Sequence, residues 1–475
     1  MRLRFLSFLL ILSLAACRAT DETDTEAAST PAPAEDTGIS VPAQDYSAYN
    51  AADVESQRLD PAWRTYAERD LQERMGSAAQ PPGQQPTEQP PAETGAQPPL
   101  TSDFQAQSVP PPGPGAEGNR QTSTDSSAPG TAEAFEQISP AAFQGQPALP
   151  VPRTGGGPSA LRTQVLLDRA RFSPGVLDGH WGKNTEKAVF WFQYAQGLKP
   201  TGEVDQATWD ALARAAGDTQ PLRQVAVTAQ QLQGPFTEIP QDVYQQEKLE
   251  CLCYASPLEM FAENAHTTAE VLQRLNPGVD FTKLAAGTNL VVPNGPDILG
   301  EPHPASPQDG QAPAAAGQAQ TPPAASATPS PGPATSPQIA RLLISKKGFY
   351  LQALDPQGKI LYHFPSTLGS DYDPSPSEGA YKLTNLKFDP DFFYQPELFH
   401  EVPDDNPKAH LPAGPNSPVG LVWMALSKPH YGIHGTAVPD TIGYTSSHGC
   451  IRLTNWDAVF LARHVKPGTQ VVFRE

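Results

Sequence analysis

Proline decides how much of this chain can fold. There are 54 prolines in 475 residues, crowded into a few stretches rich in Ala, Gln, Ser and Thr. Proline removes a backbone donor and fixes φ, and stretches of this kind lack the apolar residues that a core needs. Residues 18–157 and 296–337 therefore read as linkers, and folding is confined to what lies between and after them. Within the first linker only Asp53–Gly76 holds enough charge and leucine for a transient helix. As coil, a linker of roughly 140 residues reaches on the order of 60–70 Å and one of roughly 42 residues about 35 Å. The last folded unit is then expected to sweep a volume around the others. A formal charge of −19 disfavours nucleic acid as a partner.

The N-terminus reads as an export signal. Arg2 and Arg4 precede an apolar run from Phe5 to Leu14, and Leu14-Ala15-Ala16-Cys17 follows. The run is too short to span a bilayer, and small residues before a cleavage point mark a secretory signal. With cysteine at that point, residues 1–17 resemble a bacterial lipoprotein signal. The resemblance implies that Cys17 is lipidated and that the membrane is reached through lipid alone. Arg18 stands where some lipoproteins carry a retaining aspartate, which leans toward the outer membrane, facing the periplasm. Cys251 and Cys253 leave two readings open. One is a tight local disulfide, awkward at that spacing, and the other is a pair of buried thiols. No second ligand pair lies near enough for a metal site.

Residues 158–215 form the first folded unit. Leu161, Val165, Leu166 and Arg169 have helical spacing, and Pro174-Gly175 follows as a breaker. Thr185 is expected to cap a second helix and Thr208 a third. The run Leu177-Asp178-Gly179-His180-Trp181-Gly182 through Gln193, with Gly197 to Gly202, resembles the peptidoglycan-binding domain family, a small three-helix fold. Trp181, Trp191 and Phe192 also suit a plain core. Residues 244–294 form a second unit: two short helices, Leu258–Ala265 and Thr268–Leu275, a turn at Asn276-Pro277-Gly278, and a closing strand to Pro293. This resembles a lysin motif (LysM), a small α+β glycan-binding module. Ala255-Ser256-Pro257-Leu258 replaces the family's Gly-Asp-Thr-Leu, so glycan affinity stays open.

Residues 338–475 read as mostly β with one clear helix. Strands are expected at Arg341–Ile344, Phe349–Ala353, Ile360–Phe364, Gly420–Leu426 and Gln470–Phe473. Thr454 opens a helix through His464. The chemistry concentrates here. His434 and Gly435 are followed, 16 positions from His434, by Cys450 within Ser446-Ser447-His448-Gly449-Cys450-Ile451-Arg452. A thiol is a strong nucleophile only as thiolate, so it needs a neighbouring base or positive charge. His434, His448 and Arg452 can supply these. Glycine at 435 and 449 lets backbone N–H groups approach a reacting carbonyl. The stretch reads as an acyl-transfer site.

Ile433-His434-Gly435-Thr436 and Ser447 to Arg452 match the two signatures of the L,D-transpeptidase catalytic domain, a β-sandwich with one clear helix, and the whole unit is similar to it. Pro374 to Gly379 resembles the family's Thr-Pro-x-Gly turn with one residue extra. Asn416 to Gly420 resembles its Asn-Pro-Leu-Gly turn. The resemblance implies Cys450 as nucleophile and His434 as proton acceptor and donor. It implies Gly435 as the carbonyl that orients His434, and backbone N–H groups at His448 to Cys450 as an oxyanion hole. His448 shapes the pocket or assists the proton path. Arg452 pairs with a substrate carboxylate or forms a structural ion pair, and Tyr431 and Ser447 line the cleft. Peptidoglycan stem peptides and glycan are the implied partners, with no metal or organic cofactor, and carbapenems are expected to acylate Cys450. The acceptor stays open: a stem amine giving a 3→3 cross-link, a lysine of an envelope lipoprotein, or water, which would make an L,D-carboxypeptidase. A lipoprotein that mainly tethers membrane to wall is the competing reading. Phe388–His410, long for a connection inside a domain, is expected to be a lid over the cleft.

Overall fold

The computed structural model describes residues 62–78, 133–299, 338–399 and 402–475. The export signal, Cys17 and most of the two linkers lie outside the described residues. No described helix is long and apolar enough to cross a membrane.

The C-terminal unit is built on an eight-stranded sheet. Its strands are β3 (Arg341–Ser345), β4 (Tyr350–Leu354), β5 (Ile360–Pro365), β7 (Gly379–Phe388), β10 (Val422–Leu426), β11 (Gly432–His434), β13 (Ile451–Arg452) and β14 (Gln470–Arg474). They run in the order β13-β11-β10-β7-β14-β3-β4-β5. Pairs β3–β14 and β11–β13 are parallel and the rest antiparallel. A short parallel pair joins β6 (Leu368–Gly369) to β12 (Ser446–Ser447). The helix Asn455–His464 starts where expected, with Thr454 Oγ1 accepting from the Asp457 N–H at 3.2 Å. Its Trp456, Val459 and Leu461 are fully buried against the sheet with Leu342, Leu351 and Ile433. Burying each such side chain stabilises the unit by about 1.5–3 kcal/mol before entropy is counted.

Three helices, Pro158–Arg169, Lys183–Ala195 and Gln206–Ala216, form the helical unit. Two expected caps are corrected. Gly182 precedes the second helix, and Thr185 lies inside it, bonded to Gln164 Nε2. Asp205, not Thr208, caps the third, because its carboxylate sits three residues ahead and accepts from the Thr208 N–H at 2.8 Å. Trp181, Trp191 and Phe192 are core, so none offers a stacking face to a ligand.

The next unit is larger than its expected bounds of 244–294. Helices Pro257–Asn264 and Ala269–Leu275 precede β2 (Asn289–Pro293), which pairs antiparallel with β1 (Leu222–Ala226). The first strand is separated from the first helix by an insertion, residues 227–256, that carries a short helix Val243–Gln246 and a Cys251–Cys253 disulfide.

The expectation of freely sweeping units is overturned. The turn after the first helix adds Phe172 to the sheet edge at His363, with the Ser173 N–H donating to the His363 carbonyl at 2.8 Å. Lys187, fully buried, donates to the Gly348 and Phe349 carbonyls at 3.2 Å each. Burial and then the charge of Lys183 push its pKa well down. Leu343, Tyr350, Leu354 and Ile360 share one apolar cluster with Phe190, Trp191 and Phe192.

Part of the expected tether is also ordered. Helix Ala62–Ala78 buries Trp63 and Ala67, and Trp63 meets Phe190 edge-on at 5.8 Å. Its Asp70 accepts from Tyr350 Oη at 2.9 Å, and Arg74 donates to Gln352 Oε1 at 2.6 Å. A few well-placed contacts hold a helix whose composition reads as solvated. Ile138, Phe143 and Val151 are likewise buried.

Candidate active site

Strand periodicity gathers the chemistry. Paired residues on neighbouring strands project to the same face, and residues two apart on a strand share a face. β11 and β13 pair His434 with Arg452 and Ile433 with Ile451, while β10 pairs Trp423 with His434. Ile433, Ile451 and Met424 therefore enter the core together. His434, Arg452, Trp423 and, two residues before Arg452, Cys450 line a cleft of about 710 Å³ on the other face.

His434 is 4% exposed, and its ring stacks on Trp423 with centroids 5.4 Å apart. Its Nδ1 lies 2.7 Å from the Gly435 carbonyl oxygen. A carbonyl only accepts, so Nδ1 carries the hydrogen and Nε2 is left with its lone pair in the neutral ring. Burial, then the Arg452 charge, push the imidazole pKa down to about 3 against the opposing Gly435 hydrogen bond. Cys450 is half-buried, and its thiol points at the His430 carbonyl oxygen at 3.6 Å. Burial raises its pKa, with a Gly432 backbone hydrogen bond and the Arg452 charge opposing. Both shifts favour the uncharged forms, thiol and neutral imidazole, over charged ones.

The flanking residues divide between cleft and scaffold. Gly449 sits at φ +100°, and a Cβ there would lie 2.9 Å from Tyr431 Cε1, so the turn into Cys450 admits only glycine. Tyr431 lines the cleft and donates from Oη to the Pro374 carbonyl at 3.2 Å. Ser447 does not line the cleft; its Oγ donates to the Cys450 carbonyl at 2.6 Å and fixes the backbone of Cys450. His448 does line it, edge-on to Phe399 at 4.8 Å, with Nε2 4.0 Å from Asp373 Oδ2. Arg452 is 5% exposed and anchored through backbone bonds to Thr367 of 2.9 and 3.0 Å. Among the described residues no cluster of His, Cys, Asp or Glu is placed to hold a metal ion.

The segment expected to be a lid forms one wall of the cleft. β8 (Phe392–Tyr394) pairs antiparallel with β9 (Ala409–Leu411). Tyr372, Phe393 and Leu398, the large apolar side chains left exposed among the described residues, all stand on the cleft wall. Trp423, Phe393 and Phe399 were not singled out in the sequence. Alternation along β10 could have set Trp423 opposite Met424, but its pairing with His434 is a non-local fact.

Residues 340–473 match the family model described as "L,D-transpeptidase catalytic domain", and residues 157–212 the one described as "Putative peptidoglycan binding domain". "Putative L,D-transpeptidase YkuD" of Bacillus licheniformis is 26% identical over 216 residues, covering 45% of this chain and 91% of that protein. Its namesake in Bacillus subtilis is 53% identical over 57 residues, covering 12% of this chain and 35% of that protein. Among solved structures, L,D-transpeptidase 3 from Mycobacterium tuberculosis, in complex with a faropenem-derived adduct, is 18% identical. The match covers 29% of this chain and 61% of that one, with a TM-score of 0.24. The chain thus spans most of the first relative but about a third of the second and under two thirds of the solved structure. Residues 340–473 are an L,D-transpeptidase catalytic domain, carried on a chain that also holds a peptidoglycan-binding domain at 157–212.

Proposed function

We propose that the protein is an exported peptidoglycan L,D-transpeptidase with Cys450 as nucleophile. The observation that carries this is that Cys450, Arg452 and His434 line one cleft, His434 and Arg452 as partners on adjoining strands, with Nδ1 of His434 committed to Gly435. Nε2 is then the one ring nitrogen able to take a proton. Cys450 Sγ attacks the carbonyl of the third residue of a tetrapeptide stem as its proton passes to Nε2. Backbone N–H groups at 448–450 stabilise the oxyanion. The C–N bond to the terminal D-alanine breaks, and the proton on Nε2 goes to the leaving amine. An acceptor amine then attacks the thioester, gives its proton to Nε2, and the thiol is re-formed. No electrons are exchanged. Arg452 suits a substrate carboxylate, since a guanidinium binds one through two parallel hydrogen bonds.

The acceptor in this reading is a stem amine, a lipoprotein lysine or water. Lipidation at Cys17 and an envelope location facing the periplasm are part of the proposal. So is glycan binding by the 222–293 module, whose strand–helix–helix–strand order supports a LysM-like reading. The test uses protein lacking residues 1–17, incubated with disaccharide-tetrapeptide and resolved by mass beside Cys450→Ala. Dimers lacking one D-alanine, absent from the variant, are the expected result. Tripeptide alone would indicate a carboxypeptidase. No product from either sample, with the thiol shown to be reduced, would shift weight to a tethering lipoprotein.

A further inference from the structure

The βααβ module reaches the catalytic base through a buried chain of hydrogen bonds. Its helix Pro257–Asn264 carries Glu263, 9% exposed, whose Oε1 accepts from Asn455 Nδ2 at 2.6 Å. Asn455 is fully buried at the start of the catalytic domain's helix. Its Nδ2 also donates to the Pro415 carbonyl at 3.1 Å, and its Oδ1 accepts from the N–H groups of Leu421 at 3.0 Å and Thr436 at 3.2 Å. All four hydrogen-bonding positions of the amide are used. Flipping it would set NH₂ against two N–H donors, so the orientation is forced.

The Thr436 N–H and the Gly435 carbonyl are opposite ends of one planar trans peptide. Holding the N–H toward Asn455 aims the carbonyl the other way, at His434 Nδ1. The fit is close: a Cβ on Gly435 would lie 2.1 Å from Asn455 Oδ1. We propose that Glu263 is a positioning residue for His434, acting through Asn455 and the Gly435–Thr436 peptide, so that the catalytic domain's base is set from outside that domain. The inference rests on the reading of His434 as the base. With Glu263 in place the amide is held from both sides, and the peptide it aims cannot rock. Without it, one Nδ2 hydrogen is buried with no acceptor, and the amide gains freedom to rotate.

The test uses the full chain with ¹⁵N-labelled histidine and three variants: Glu263→Leu, Glu263→Asp, which withdraws the carboxyl by one methylene, and Glu263→Gln, which keeps a carbonyl oxygen at the same reach. Ring nitrogen shifts of His434 report its tautomer without any substrate. Glu263→Leu is expected to convert a single Nδ1–H form into a mixture and to lower kcat for tetrapeptide about tenfold with KM unchanged, the order expected when one hydrogen bond fixing a catalytic group is lost. Glu263→Gln should restore both readouts, and Glu263→Asp should fall between. If Glu263→Leu does not fold, Glu263→Asp against Glu263→Gln decides the matter. Unchanged His434 shifts in a folded Glu263→Leu or Glu263→Asp protein would overturn the proposal. If the parent protein turns over no tetrapeptide, the proposed function fails, while the tautomer readout still decides the positioning.

Discussion

Leu252 should control the local stability of the cleft wall without controlling that of the domain. It is fully buried in a small apolar cluster separate from the main core, with Val243 from the insertion and Tyr394, Phe399, Val402 and Leu411 from the hairpin segment. Its backbone is tied to the catalytic domain on both sides: its N–H donates to the Ala413 carbonyl at 3.0 Å, and its carbonyl accepts from the Asn416 N–H at 2.9 Å. Leu252→Ala keeps these bonds and the neighbouring disulfide, and removes the apolar side chain alone. Such truncations cost about 2–5 kcal/mol, and an edge cluster able to collapse belongs near the lower end. A loss of about 2–3 kcal/mol would raise the opened population of the hairpin about 30- to 140-fold. Hydrogen exchange read by mass should show peptides from 389–413 losing protection by that factor, while β3 and β14 stay unchanged. Equal loss across both regions would mean that wall and sheet open as one unit. No loss in the wall would mean that the cluster does not hold it. Either result refutes the reasoning.

Three further outcomes follow from the site and its surroundings. Alkylation of Cys450 by iodoacetamide, in protein lacking residues 1–17, should accelerate steadily with pH and show no plateau near neutrality, because burial raises the thiol and depresses His434; a flat profile between about pH 5 and 8 would indicate a thiolate–imidazolium pair instead. Gly449→Ala should lower stability by about 1–2 kcal/mol, the cost of holding an L side chain at positive φ, and abolish acyl transfer; a melting midpoint and turnover matching the parent would contradict the tight turn. Asp457, pushed up to about 8 by burial and then by the charge of Asp168, binds its proton more tightly folded than unfolded. Its contribution is fully present below the unfolded carboxylate range and is lost as pH rises through about 8. Asp457→Asn should therefore flatten the fall of the thermal midpoint across that window, and an unaltered slope would place the titration elsewhere.

Local signals carried a good deal of this fold. Thr454 as a cap acts over three residues, on the Asp457 N–H, so its effect could be read directly. The five strands expected in the catalytic domain lie within a residue or two of their bounds, because alternation and flanking turns define them, whereas β7 (Gly379–Phe388) and the short strands β11 and β13 were not anticipated. The caps at Thr185 and Thr208 failed for an equally local reason: each helix starts three residues earlier, behind Gly182 and Asp205, and helix starts are the least determined feature of a helical pattern. The strand Leu222–Ala226 was missed because its partner, Asn289–Pro293, lies beyond two helices and an insertion. A strand that is half-exposed on its own has no signature until its partner is known.

By itself the sequence determined which residues could do chemistry. A cysteine set among glycines and a histidine 16 positions earlier are properties of composition and spacing. Tertiary structure alone decided how those residues are held. Register between β10, β11 and β13 puts Trp423, His434 and Arg452 side by side. Packing between units, not the coil length of a linker, makes the helical unit part of the sheet's edge. The insertion that braces the cleft wall and the Glu263–Asn455 contact join residues 192 positions apart or belong to different units. Desolvation explains why such contacts persist once formed: a buried amide or carboxyl left without a partner costs several kcal/mol, on the order of 1–3 for each neutral group. That penalty exists only in the folded interior, where water cannot substitute, and so it leaves no mark on local sequence pattern.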